Sequence, residues 1–129
     1  MNKPLILVVN DDGINAPGIQ ALISVAKEFG EVFVVAPDKP QSGMGHAITL
    51  DSTLHINKID IEGTTAYACS GTPADCVKIA VTKLLDRTPD LIVSGINHGS
   101  NSSINVIYSG TMSAALEGAL EGIPSIGFS

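Results

Sequence analysis

Leu5-Ile6-Leu7-Val8-Val9-Asn10-Asp11-Asp12-Gly13 is the stretch that decides the fold. Five apolar residues in a row are too few for a membrane span or a secretory leader, and a polar quartet stops them at once. A short apolar run that ends on turn residues reads as a strand buried on both faces. A strand of that kind belongs inside a parallel sheet with helices packed above and below it. Everything downstream is therefore read for crossover helices and further short strands.

The first crossover follows directly. Ile19, Leu22, Ile23 and Ala26 recur at helical spacing within residues 17–29. Pro17 fits a first helical turn and Gly30 closes the helix. Residues 32–36 form a second apolar run, ended by Pro37. Strand, helix and strand with tight joints make a βαβ unit, so the two strands are parallel. Residues 38–46 form a polar loop broken by Pro40, Gly43 and Gly45.

The style changes over residues 47–69, where Ile48, Leu50, Leu54 and Ile56 alternate with other residues and Glu62-Gly63 marks a turn. This predicts an antiparallel hairpin appended to the parallel core. Ser70-Gly71-Thr72-Pro73-Ala74-Asp75 is a helix start: Thr72 caps, Pro73 takes the first position, and Asp75 completes a capping box. Val77, Ala80, Val81, Leu84 and Leu85 form its apolar stripe. Leu91 to Val93 is a strand leading into Ser94-Gly95-Ile96-Asn97. After a Ser- and Asn-rich loop, a helix is expected over 111–121, with Met112, Ala115, Leu116, Ala119 and Leu120 on one face. A last strand follows over 124–128. The order β-α-β, hairpin, α-β-α-β describes an α/β fold with a doubly wound, mostly parallel sheet. The chain stops at that strand with no covering helix after it, and so reads as a fragment.

Composition excludes some partners. With 13 acidic and 7 basic residues, the net charge of -6 opposes binding to nucleic acid through its phosphates. No run is long enough for a membrane partner. The two cysteines, Cys69 and Cys76, lack metal-site spacing and read as reduced thiols of a cytoplasmic protein.

Ligands of open α/β sheets bind beyond the carboxyl ends of the strands. Asp11 and Asp12 follow the first strand there, Ser42 follows the second, and Asn97 follows the strand at 91–93. Two ionised carboxylates about 4–5 Å apart repel by roughly 3–4 kcal/mol at an effective dielectric near 20. A divalent cation removes that penalty, and oxygen donors favour Mg²⁺, Mn²⁺ or Ca²⁺ over zinc. The same residues also read as an ordinary turn with a solvated acidic pair. Ser70-Gly71-Thr72 and Ser109-Gly110-Thr111 each precede a helix, where free N–H groups either hold a phosphate or are simply capped.

Five segments together resemble the SurE nucleotidase family. They are Asn10-Asp11-Asp12-Gly13, Gln41-Ser42-Gly43, Ser70-Gly71-Thr72-Pro73-Ala74-Asp75-Cys76-Val77, Ser94-Gly95-Ile96-Asn97-His98-Gly99-Ser100-Asn101 and Tyr108-Ser109-Gly110-Thr111. Their order and spacing agree over essentially the whole chain. The resemblance implies a Rossmann-like core that hydrolyses nucleoside 5′- and 3′-monophosphates, with some members also shortening polyphosphate. It implies one divalent metal ion, Mg²⁺ or Mn²⁺, held by Asp11, Asp12, Ser42 and Asn97. Asp11 and Asp12 become the catalytic pair, and Asn101, Ser109, Gly110 and Thr111 contact the phosphate. The resemblance also implies a homodimer or homotetramer, and a C-terminal part that residues 1–129 lack.

A response-regulator receiver domain is the competing reading, since it too carries an acidic pair after its first strand. It also needs a phosphorylatable Asp after the third strand and a Lys after the fifth, where this chain offers Asn97 and no Lys. A dinucleotide-binding module is disfavoured because no Gly-x-Gly-x-x-Gly follows the first strand. His46, His98 and His55 read as bystanders, Tyr67 and Tyr108 as packing residues, and Cys76 as core.

Overall fold

The computed structural model describes residues 3–39, 54–61, 63–96, 114, 117–119 and 121–128. Strand β1 (Leu5–Val9) is buried along its whole length, as its unbroken apolar run requires. Helix α1 (Pro17–Ala26) buries Ile19, Leu22, Ile23 and Ala26. It ends three residues short of the expected Phe29. The N–H groups of Glu28 and Phe29 donate back only three residues, to Val25 and Ala26, at 3.1 and 2.9 Å. That tighter turn lets the chain swing into β2 (Glu31–Pro37), where Glu31 N–H donates to the Pro4 carbonyl at 2.8 Å.

β3 (Ile56–Ile61) and β4 (Thr64–Cys69) form the expected antiparallel hairpin, with Gly63 in the turn between them. As expected, the hairpin is appended to the parallel core, which it joins at one edge through β4. β4 pairs in parallel with β2, placing Val35 opposite Tyr67. Ala66 and Ala68 face one core and Cys69 the other. Such small residues hide a core strand from a reading based on bulky apolar runs. With β5 (Leu91–Ser94) and β6 (Ser125–Gly127), one six-stranded sheet results, in the order β3-β4-β2-β1-β5-β6. All neighbours in it are parallel except β3 and β4.

The pleat sends alternate side chains of β1 to opposite faces. Ile6 and Val8 join Val34, Ala36, Ala66 and Val93 beneath α1. Leu7 and Val9 join Val35, Cys69 and Ile92 beneath α2 (Pro73–Ile79). Both faces of the sheet thus carry a helix, which is the doubly wound arrangement expected. α2 widens into a π-helical turn at Ala80–Leu84, and Leu85 is already extended. Of the stripe expected there, Val77 and Ala80 are buried, while Val81, Leu84 and Leu85 pack partly buried against the same core.

The helix expected over 111–121 needs a correction where it is described. Ala114, Glu117 and Gly118 are buried and Ala119 is exposed, so the inward stripe does not run through Ala119. Gly118 explains the shift. A methyl group there would meet the side chains of Ser125 and Ile92, so this glycine is the point of close contact with the sheet. Met112, Ala115, Leu116 and Leu120 lie outside the described residues. Val25, Phe29, Ile126 and Phe128 are exposed and border an apolar groove of about 190 Å³ between α1 and β6. Among the described residues, no helix is long and apolar enough to cross a membrane.

Candidate active site at the carboxyl edge of the sheet

β1, β2, β4 and β5 all point the same way, so their carboxyl ends share one edge. β1 lies between β2 and β5, and its exit loop touches the exits of both. On one side, Ile14 N–H donates to the Pro37 carbonyl at the end of β2, at 2.9 Å. On the other, Gly95 N–H donates to the Val9 carbonyl at 2.9 Å. Gly18, in the first turn of α1, packs so tightly on Ile96 that a methyl group would run into its carbonyl oxygen. The chain leading from β5 toward Asn97 is thereby held beside the loop that carries Asp11 and Asp12.

The loop itself is closed by Asn10. Its side-chain Nδ2 donates to the Gly13 carbonyl at 2.8 Å, and the bond spans both aspartates. Gly13 takes a left-handed conformation, φ +103°, which a side chain would strain. Asp11 is 0% exposed, and among the described residues neither of its carboxylate oxygens has a hydrogen-bond partner. Burial, and then the negative charge of Asp12, push its pKa up from 3.8 to about 6. Asp12 is half-buried. The alternative of an ordinary turn with a solvated acidic pair is therefore wrong for Asp11.

Asn10 Oδ1 and Ser94 Oγ are also buried without a hydrogen-bond partner among the described residues. Buried polar atoms are nearly always paired, so several orphan oxygens at one sheet edge call for an explanation. The Asp11 carboxylate is the anionic one among them, and anionic oxygen is the donor chemistry of a hard divalent cation. Asn10 and Ser94 were not among the candidate residues. The signal was faint: a polar residue at the end of an apolar run can point into the ligand edge or out to water.

Of the remaining candidates, Ser42, Asn97, Asn101, Ser109, Gly110 and Thr111 lie outside the described residues. Thr72 does have an assigned task. Its hydroxyl accepts from Asp75 N–H at 3.1 Å, and Asp75 Oδ2 accepts from Thr72 N–H at 2.9 Å, both groups buried. The Ser70-Gly71-Thr72 start is thus a capping box. Cys69 and Cys76 are free and buried, and their thiols hydrogen-bond each other. The Cys76 thiol beside it lowers the pKa of Cys69, whereas burial holds Cys76 well above the usual thiol range. A sealed thiol of that kind is core rather than nucleophile. His55 is exposed, and Tyr67 packs on Phe33 with ring centroids 5.6 Å apart. Among the described residues, no three of His, Cys, Asp and Glu gather as a metal cluster.

Fold and site together define a Rossmann-like α/β domain whose ligand edge opens on an acidic pair, Asp11 buried and Asp12 half-buried. The family model described as survival protein SurE matches residues 6–129, and the chain belongs to that family. It is 70% identical over 131 residues to the 5′-nucleotidase SurE of Flavobacterium psychrophilum, covering 100% of this chain and 51% of that relative. Identity to the 5′-nucleotidase SurE of Bacteroides thetaiotaomicron is 57%, over 98% of this chain and 49% of that one. The crystal structure of the SurE protein from Aquifex aeolicus superimposes with a TM-score of 0.81 at 45% identity, over 98% of this chain and 52% of that chain. The chain spans about half the length of the curated relatives it matches.

Proposed function

We propose that this protein hydrolyses phosphate monoesters of nucleosides, chiefly the 5′- and 3′-monophosphates, with one divalent cation, Mg²⁺ or Mn²⁺, as its cofactor. The observation that carries the reading is the Asp11 carboxylate, shut off from solvent with both oxygens unpartnered among the described residues at the ligand edge. The names of the relatives support the substrate class. Polyphosphate is a further substrate on this reading.

A phosphate dianion repels anionic nucleophiles, so positioning and charge neutralisation dominate its hydrolysis. When bound, the cation supplies Lewis acidity and offsets the charge of the phosphate. Asp11 and Asp12 would hold it, with Ser42 and Asn97 completing an all-oxygen set. The Asp11 carboxylate also accepts a hydrogen bond from the attacking water and so aims it at phosphorus. Asn101 and the Ser109-Gly110-Thr111 turn donate to the remaining phosphate oxygens. Residues 1–129 make up one nucleotidase core in this reading, in a cytoplasmic protein that assembles as a homodimer or homotetramer and binds no nucleic acid.

Phosphate release from a panel of nucleoside 5′- and 3′-monophosphates tests it, run with Mg²⁺, with Mn²⁺ and in excess chelator. Turnover of monophosphates with either cation, and none in chelator, is the expected result. Release that persists undiminished in chelator overturns it.

A further inference from the structure

Asn10 does something that a turn residue need not do. It is 0% exposed, and its amide reaches forward to the Gly13 carbonyl at 2.8 Å. The ring closed by that bond contains the backbone of Asp11 and Asp12 and little else. Beyond Gly13, Ile14 N–H anchors the loop to Pro37 at the end of β2. Ahead of Asn10, Val9 is held in register opposite Ser94. The acidic pair thus sits on a short arch with both feet fixed to the sheet, and Asn10 Nδ2 is the strut across it. We propose that Asn10 is a positioning residue for cation binding: its Nδ2 donor, rather than its buried Oδ1, sets the angle at which Asp11 and Asp12 present their oxygens.

The geometry favours the donor end because Nδ2 has an identified acceptor in the loop, whereas Oδ1 has no partner among the described residues. Groups that orient a ligand without touching the metal change affinity by about 10- to 100-fold when removed. The inference rests on the cation-binding reading above, so its test must separate the two.

Mn²⁺ affinity is measured by calorimetry on the wild type, Asn10→Ala and Asn10→Asp, with circular dichroism and thermal melting on each. The wild type should bind one Mn²⁺. If it binds none, the cation reading and this inference fall together. If it binds and Asn10→Ala binds equally well while only melting earlier, Asn10 is structural and this inference alone fails. The expected result is roughly 10- to 100-fold weaker binding by folded Asn10→Ala. Asn10→Asp keeps the shape, removes the amide donor and adds charge. It should also bind more weakly despite the added charge, and binding as tight as that of the wild type or tighter overturns the proposal. Should neither variant fold, the wild type still decides by NMR. The Asn10 side-chain N–H signals should be protected from exchange and should shift on addition of Mg²⁺. Rapid exchange, or no shift at saturating Mg²⁺, overturns the proposal.

Discussion

The Gly95 N–H donates to the Val9 carbonyl at 2.9 Å, and this bond sets the exits of β5 and β1 side by side. Two residues beyond Val9 the chain reaches Asp11, and two beyond Gly95 it reaches Asn97. Val9 and Gly95, 86 positions apart in the chain, are thus drawn together at one sheet edge. The account of the site rests on that convergence, and the following outcomes test its parts.

Asp12→Asn should keep the fold, because Asp12 is only half-buried, and should weaken Mn²⁺ binding by more than about tenfold. Calorimetry on the folded variant measures this. An unchanged affinity would return Asp12 to the role of a turn residue.

Asp11→Asn should stabilise the metal-free protein at pH 7.5. The wild-type carboxylate is buried and has no hydrogen-bond partner among the described residues, and its pKa of about 6 lies above the unfolded value of 3.8. A raised carboxylate pKa means that the folded state prefers the proton. That contribution to stability is full below about pH 3.8 and is lost as pH rises through about 6. The ionised penalty is at most about 3 kcal/mol. Thermal melts in chelator should show the gain of the variant shrinking between pH 7.5 and pH 4.5. A gain that does not depend on pH would assign it to packing instead.

Thr72→Ala should remove half of a buried capping box and destabilise the fold by about 1–2 kcal/mol, with Mn²⁺ affinity little changed. Urea denaturation and calorimetry read the two quantities separately. A large loss of affinity would give this helix start a role in ligand binding as well.

Much of this was legible in the sequence. The unbroken run from Leu5 to Val9 is buried on both faces, and the capping box at Thr72 and Asp75 forms as its spacing predicts. Other parts were hidden for identifiable reasons. β4 enters the parallel sheet through Ala66 and Ala68, whose small side chains carry little hydrophobic signal. The inward side of the helix after 111 uses Gly118 and Glu117, neither of which looks like a core residue. At the site, Asp11 and Asp12 stand out as an acidic pair, but the full burial of Asp11 beside a half-buried Asp12 is tertiary geometry that the sequence pattern does not carry. Asn10 belongs to the same motif, yet its bond to Gly13 is tertiary geometry that spacing alone does not supply.

Gly18→Ala should be harmful although alanine is the better helix former. The added methyl group meets the Ile96 carbonyl, a backbone atom that cannot turn aside. Forcing them apart should destabilise the protein by roughly 1–3 kcal/mol. It should also weaken Mn²⁺ binding, because the displaced chain leads directly to Asn97. A variant with wild-type melting and affinity would show that α1 does not brace this side of the site.

The central claim is that the acidic pair after β1 holds a divalent cation, and Mn²⁺ anomalous scattering from crystals grown with the cation tests it most directly. The account predicts one strong anomalous peak within coordination distance of the Asp11 and Asp12 carboxylates, lost in crystals of Asp12→Asn. A well-diffracting Mn²⁺ crystal with no peak at that loop, or with its peak elsewhere, would contradict it.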